Sequence, residues 1–289
     1  MHPSAKEKFQ NQLNGFLPTE AHPSYAIWKE YHLNAEKRGY EIVELLDSIG
    51  LNLKGKLVLD AGCGTCGPYV AFERSGSEVV GVDVSRDSLQ VGKTRISAEG
   101  FVVNLVVAST QHLPFRDNLF DIVFFADVIE HTQKPSECAK EIYYVLADGG
   151  LLYASGPNIF STVNFLHDPH YKLPFISILP PSVGKDIAKK TKRGDEEIKM
   201  FTMWGFAKLF SNQGFQMFIV DDSQTRKKLS DPSLVQSKIR YILLLISKRT
   251  RTDGVVLSLM RVFHNSIHQF LCVKNTIAMK DIETQNVIQ

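Results

Sequence analysis

The segment Val58-Leu59-Asp60-Ala61-Gly62-Cys63-Gly64-Thr65-Cys66-Gly67 constrains this chain more than any other. A short β-prone run over 56–60 drives straight into a glycine cluster, and a helical pattern over 67–75 leaves it. Glycine is required at such a joint where a bound group must approach the backbone more closely than a Cβ permits. Spelled as Gly62-x-Gly64-x-x-Gly67, the loop also meets the dinucleotide fingerprint, with Asp83 about 20 residues further on at the end of the second expected strand. A carboxylate at that place can accept hydrogen bonds from ribose hydroxyls. The loop alone does not separate one adenosine-containing cofactor from another. Asp60 does: a carboxylate two residues before the first glycine would repel a pyrophosphate, whereas it suits a cationic ligand.

The alternation begun here continues. Residues 78–84, 102–107, 120–125 and 151–155 read as strands, with helical patterns over 86–98 and 135–146 between most of them. Strand and helix alternating at this spacing predict a parallel sheet covered on both faces. Ahead of the sheet, residues 24–49 carry apolar residues at helical spacing, so 1–55 reads as a helical N-terminal extension. Five prolines (157, 169, 174, 180 and 181) interrupt the pattern after Ser155, and 157–200 reads as an insertion or lid. A helix over 202–212 and strands over 215–220 and 269–274 follow, with a basic and apolar insertion at 222–268.

Three ordered motifs, VLDAGCGTCG, VVGVDVS and LPFRDNLFDIVFFADVIEH, together resemble the class I methyltransferases that use S-adenosylmethionine (SAM). The resemblance covers about 56–157, is nearest to the branch with ubiquinone, menaquinone and small-molecule methyltransferases, and returns weakly in FTMWGFAKLFSNQGF. It implies an α/β, Rossmann-like fold: a doubly wound, mostly parallel seven-stranded sheet with its last strand reversed, and a SAM-binding core at 56–156. It also implies a division of the site. Asp60, Gly62, Cys63 and Gly64 border the methionine part of SAM, Asp83 takes both ribose hydroxyls, and Val84 packs on the adenine. Ser109 and Thr110 lie near the adenine amino group, and Asp127 lies at the cofactor's edge.

Methyl transfer is an in-line displacement in which positioning supplies much of the acceleration, and a base is needed only when the acceptor must lose a proton. Three histidines are candidates for that role: His131, His167 and His170. His131 closes Asp127-Val128-Ile129-Glu130-His131, and a helical run there would bring Asp127, Glu130 and His131 onto one face. In the ubiquinone-biosynthesis O-methyltransferases that this run resembles, it helps hold a divalent metal; the preferred reading here is pocket lining without a metal. His167, Asp168, His170 and Tyr171 cluster in the proline-rich insertion and read either as an acceptor-side group or as an ordinary turn. Cys63 and Cys66 form a C-x-x-C, but no second pair completes a zinc site.

Composition removes other classes. Thirty-three Lys and Arg against 31 Asp and Glu leave a formal charge of +2, too little for the basic field of a nucleic-acid binder. The four cysteines are too few for a disulfide framework, and the N-terminus lacks a signal-like apolar run, which together predict a cytoplasmic protein. Eight basic residues against Asp231 between 224 and 251, around an apolar centre, allow peripheral membrane contact through 226–251. The predicted activity is methyl transfer to a small-molecule or lipid-linked acceptor, with oxygen preferred because of the His-rich insertion. The rival readings are an NAD-dependent oxidoreductase and a non-catalytic SAM-binding or scaffolding protein.

Overall fold

The computed structural model describes residues 3–22, 25–48, 50–161, 164, 166, 168, 170–171, 173–191, 198–220, 267–274 and 287–288. Four parallel pairings build its sheet from the edge inward: β3 (Leu105–Val107) on β2 (Glu78–Asp83), β2 on β1 (Leu57–Ala61), β1 on β4 (Phe120–Ala126) and β4 on β5 (Leu146–Pro157). Beyond β5 lies β7 (Ile267–Lys274), antiparallel both to β5 and to β6 (Phe215–Val220). The order β3-β2-β1-β4-β5-β7-β6 is that of the expected mostly parallel sheet with a reversed seventh strand. A two-residue strand, β8 (Val287–Ile288), pairs with β6 and adds an eighth that sequence reasoning did not anticipate. The chain order changes direction at β1 and β4, so the crevice at their carboxyl ends is where a ligand is expected.

The central strands β1, β4 and β5 are buried on both faces, and their residues alternate between two cores. Val58, Ile122 and Phe124 face one side with Ile42, Tyr69 and Phe72, while Leu59, Val123 and Phe125 face the other with Ile142 and Phe206. Helices α4 (Gly67–Arg74), α5 (Arg86–Ala98) and α6 (Pro135–Val145) fall where their periodicity places them. Among the described residues, two helix starts show side-chain caps. Ser85 accepts from the Ser88 N–H at 3.1 Å for α5, and Thr202 accepts from Gly205 at 2.9 Å for the helix Met203–Ser211, α8 here.

The N-terminal extension is three helices: α1 (Pro3–Phe16), α2 (Tyr25–Leu33) and α3 (Ala35–Ser48). Helix α1 lies within the 1–55 stretch read as helical, ahead of the apolar periodicity at 24–49, and its Phe9 and Leu13 pack with Val91 of α5 in a small separate core. Helix α3 meets α4 backbone to backbone. A Cβ on Gly39 would lie 2.7 Å from both Ala71 and Pro68, and one on Gly67 would overlap Ala35. Gly67, the third glycine of the fingerprint, is therefore spent on helix packing. The 222–268 insertion, including the basic stretch 226–251, lies outside the described residues apart from the start of β7 at Ile267.

Candidate functional site

The site is built outward from the loop after β1. Gly62 adopts a left-handed φ of 83°, and a Cβ there would overlap the methyls of Val128. The N–H groups of Gly62 and Cys63 both donate to the Val82 carbonyl, at 2.7 and 2.9 Å, which ties the loop to β2. Gly64 (φ 49°) has nothing within 4 Å of the Cβ position, so this stretch of backbone stands open on the crevice. Cys66 enters α4 at φ 58°, a left-handed conformation that costs a non-glycine residue on the order of 1 kcal/mol. The Cys63 side chain faces the core. Its sulfur fills the notch left by Gly81 and lies 3.6 Å from that of Cys66.

Two carboxylates flank the loop in different states. The Asp83 oxygens accept from the Gly64 N–H at 2.9 Å and the Ser85 N–H at 2.8 Å, so the backbone orients the group while leaving it half-buried. Asp60 is buried at 2% exposure, and its Oδ2 has no hydrogen-bond partner. Burial, and then the charge of Asp83, push its pKa up to about 8, opposed by the backbone N–H of Tyr69 in α4. Val84, next to Asp83, is 68% exposed, an apolar platform open to a flat ligand. Ser109 Oγ accepts from the Gln111 N–H at 3.2 Å, while the buried Thr110 hydroxyl turns away to Cys138 Sγ at 3.5 Å.

The segment after β4 departs from the helical expectation. Asp127 sits at φ 56°, with the Ser155 hydroxyl donating to its carboxylate at 3.2 Å, and only Ile129–His131 forms a tight 3-10 turn. Asp127, Glu130 and His131 therefore do not share one helical face, because the left-handed residue precedes the turn. Glu130 is buried with Oε2 lacking a partner, and burial followed by the Asp127 charge raises its pKa to about 8. His131 is exposed and meets His170 edge to face, ring centroids 5.4 Å apart. One ligand atom each from Glu130, His131 and His170 lie within 4.8 Å of one another, close enough to share a metal ion. Buried Asp168 accepts from the backbone N–H groups of His170 and Tyr171 at 2.9 and 2.7 Å, so it shapes the turn that carries His170 across. His167 lies outside the described residues.

Sequence reasoning missed the contribution of the N-terminal helices. His32 Nδ1 lies 3.1 Å from Thr65 Oγ1 in the glycine loop, and the Arg95 guanidinium donates to the His32 carbonyl at 2.7 Å. Burial and the nearby Arg95 and Arg38 lower the His32 pKa to about 4, so the ring is neutral where the loop meets the extension. Arg38 stacks on Tyr31 at 3.8 Å from the ring centroid, and its charge reaches Asp127. The available signal was position: Arg38 directly precedes Gly39 on the buried stripe of α3 that also holds Ala35, Ile42 and Leu46.

A reversed-seventh-strand sheet with an open glycine loop and acidic ends on β1 and β2 defines the class I SAM-dependent methyltransferases. Residues 59–154 match the model of a methyltransferase domain family. Over 150 residues the chain is 27% identical to a ubiquinone biosynthesis O-methyltransferase of Pectobacterium carotovorum subsp. carotovorum, covering 52% of this chain and 57% of that protein. Over 104 residues it is 36% identical to the ubiquinone/menaquinone biosynthesis C-methyltransferase UbiE of Haemophilus ducreyi, covering 34% and 40%. The crystal structure of magnesium protoporphyrin IX methyltransferase (ChlM) from Synechocystis PCC 6803 with bound SAM shares the fold, with a TM-score of 0.50 over 92% of this chain and 90% of that one at 14% identity. Residues 59–154 are thus the part of the chain that matches a methyltransferase domain family, and the matches span less than two thirds of the length of these curated relatives. The residues fit SAM: Gly64 leaves room against bare backbone, Asp60 holds a buried oxygen without a partner, and Val84 stands exposed beside Asp83.

Proposed function

We propose that this chain transfers a methyl group from SAM to a small-molecule or lipid-linked acceptor, at oxygen. The observation that carries this reading is the loop with left-handed Gly62 and Gly64, which follows buried Asp60 and is hydrogen-bonded to Asp83 at the strand ends. When bound, SAM supplies an electrophilic methyl on a sulfonium. Asp83 orients the ribose, Asp60 faces the methionine ammonium, Val84 lies under the adenine with Ser109 at its edge, and Arg38 is the cation assigned to the methionine carboxylate. On the acceptor side His131 or His170 removes the hydroxyl proton, with Asp127 and Glu130 setting the local charge. The two relatives bear names for O- and C-methylation in quinone biosynthesis, and a hydroxylated ring is the acceptor class to try first.

Calorimetric titration with SAM, S-adenosylhomocysteine and NADH, followed by S-adenosylhomocysteine release on a panel of hydroxylated rings, tests the reading. Binding of NADH in place of SAM would overturn it. A second reading, in which a divalent ion holds the acceptor, is favoured by the closeness of Glu130, His131 and His170. Full turnover after exhaustive chelation would remove it. Among the described residues no helix is long and apolar enough to cross a membrane.

A further inference from the structure

The segment between β5 and α8 carries a small core of its own, yet keeps larger apolar side chains outside it. Tyr171, Ile176, Ala188 and Ile198 are buried together, and helix α7 (Pro181–Lys190) settles on the 3-10 turn Ile176–Ile178 through Gly184 and Ala188. Around that core Phe175 is 49% exposed, Ile178 52%, Leu179 37% and Val183 43%. Phe175 is also held at φ 64°, a conformation a bulky residue adopts at a cost and here without the return of burial. With Gly184 and Ala188 facing inward, 100° per residue puts Val183 and Lys190 on one flank of α7 and Lys185 and Lys189 on the other. The helix thus continues the apolar tip into a collar of three lysines against one acid, Asp186.

We propose that this tip docks the protein on an anionic lipid bilayer, with Phe175, Ile178, Leu179 and Val183 entering the acyl boundary and Lys185, Lys189 and Lys190 at the headgroups. Apolar tips ringed by lysine match that surface in both hydrophobicity and charge, and the bare apolar tip sets it apart from a site for an acidic protein, which the lysine collar alone would serve. The surface adjoins the acceptor side. The Lys199 N–H donates to the Glu130 carbonyl at 3.0 Å, its ammonium reaches the Thr132 carbonyl at 2.9 Å, and the Ile198 N–H donates to the Tyr171 hydroxyl at 3.2 Å. Docking itself stands independently of methyl transfer; the delivery of an acceptor from the bilayer to His131 and His170 rests on the function proposed above.

The test is co-sedimentation of the full chain with vesicles of phosphatidylcholine alone and with about a third phosphatidylglycerol. The proposal expects binding to the anionic vesicles that weakens with salt, and a loss of about tenfold or more in the Phe175→Ser/Ile178→Ser/Leu179→Ser variant. A Lys185→Gln/Lys189→Gln/Lys190→Gln variant should lose the preference for anionic vesicles. Unchanged thermal unfolding and SAM titration mark both variants as folded; should the triple serine variant fail that check, Ile178→Asp alone takes its place. No sedimentation of the parent chain, or wild-type sedimentation of the folded apolar variant, overturns the proposal. So does a concentration-dependent dimer in sedimentation velocity that the apolar variant abolishes, which would assign the tip to a second copy of this chain.

Discussion

His131 and His170 meet edge to face, centroids 5.4 Å apart at 78°, although one follows β4 and the other belongs to the insertion after β5. The contact joins the insertion to the turn that bears buried Glu130, at the edge where the strands end. If one imidazole removes the acceptor proton, His170→Ala or His131→Ala should lower turnover by roughly 10²–10⁴-fold while SAM affinity stays nearly constant. Parallel titrations and rate assays on the folded variants check this. Normal turnover in both excludes the pair as base, and lost SAM affinity would move His170 to the cofactor side.

Glu130 makes a stability prediction with a definite sign. Its folded pKa of about 8 lies above the ordinary 4.5, so between those values the folded state binds a proton that the unfolded state does not. The stability tied to Glu130 is therefore present at low pH and lost as pH rises through about 8. Glu130→Gln, which resembles the protonated form, should match the wild type at about pH 4 and exceed it by at least about 1 kcal/mol at about pH 9. Urea unfolding in chelator at both pH values measures the difference. An equal or smaller stability for the variant at pH 9 would mean that a bound cation or a relaxed conformation compensates the charge.

What the sequence disclosed follows period and spacing. The strand runs of 57–59 and 122–125 are apolar throughout because both faces are covered, and the glycine loop marks the cofactor edge through Gly62 and Gly64. What stayed hidden depends on contacts between distant segments. Helix α1 precedes the apolar run at 24–49, and its place is set by Val91 of α5, against which Phe9 and Leu13 pack. The run 127–131 has helical spacing, but the left-handed backbone of Asp127 breaks it, and the hydrogen bond from Ser155 of β5 that holds it there has no signature in the run itself. Gly67 completes the fingerprint in sequence yet answers to Ala35 of the N-terminal extension. The β8 pairing, two residues long, is below what periodicity can register.

Asp83 spends one lone pair of each oxygen on a backbone N–H, of Gly64 and Ser85, and keeps the others for a diol. Asp83→Ala should weaken SAM by about 1.5–3 kcal/mol through the lost ribose bonds. Asp83→Asn separates the two roles: it can retain an accepted bond from Gly64 or Ser85 while losing charge. Unchanged SAM affinity in a folded Asp83→Ala protein would take this residue out of the site.

Gly92 of α5 faces Cys66, and a Cβ there would overlap its sulfur. Helix propensity alone would make Gly92→Ala stabilising by about 1 kcal/mol. The overlap should reverse that sign, giving a net loss of about 1–3 kcal/mol. In a Cys66→Ala background most of the loss should disappear, since the sulfur is the atom struck. A double-mutant cycle by urea unfolding reads the coupling directly, and additivity of the two changes would show that the loop, rather than the thiol, opposes a side chain at 92.

Asp60 links cofactor binding to pH. With no hydrogen-bond partner for Oδ2 and a pKa near 8, the carboxyl is protonated at neutral pH before a ligand arrives. A methionine ammonium beside it favours the ionised form, so SAM binding should expel the proton. By linkage, affinity then rises with pH below the free-state pKa, approaching about tenfold per unit, and levels off as Asp60 ionises unaided. The window from pH 6 to 7.5 lies on the rising part. Calorimetry in two buffers of different ionisation enthalpy should report a proton released to solvent, and Asp60→Asn should flatten both the pH dependence and the buffer dependence. The same raised pKa means that the ligand-free protein loses stability as pH climbs from the ordinary carboxylate range towards 8, so SAM should protect most against thermal unfolding at the alkaline end of that range. Binding without proton release in the wild type would place the ammonium away from Asp60 and leave this carboxyl to the α4 backbone alone.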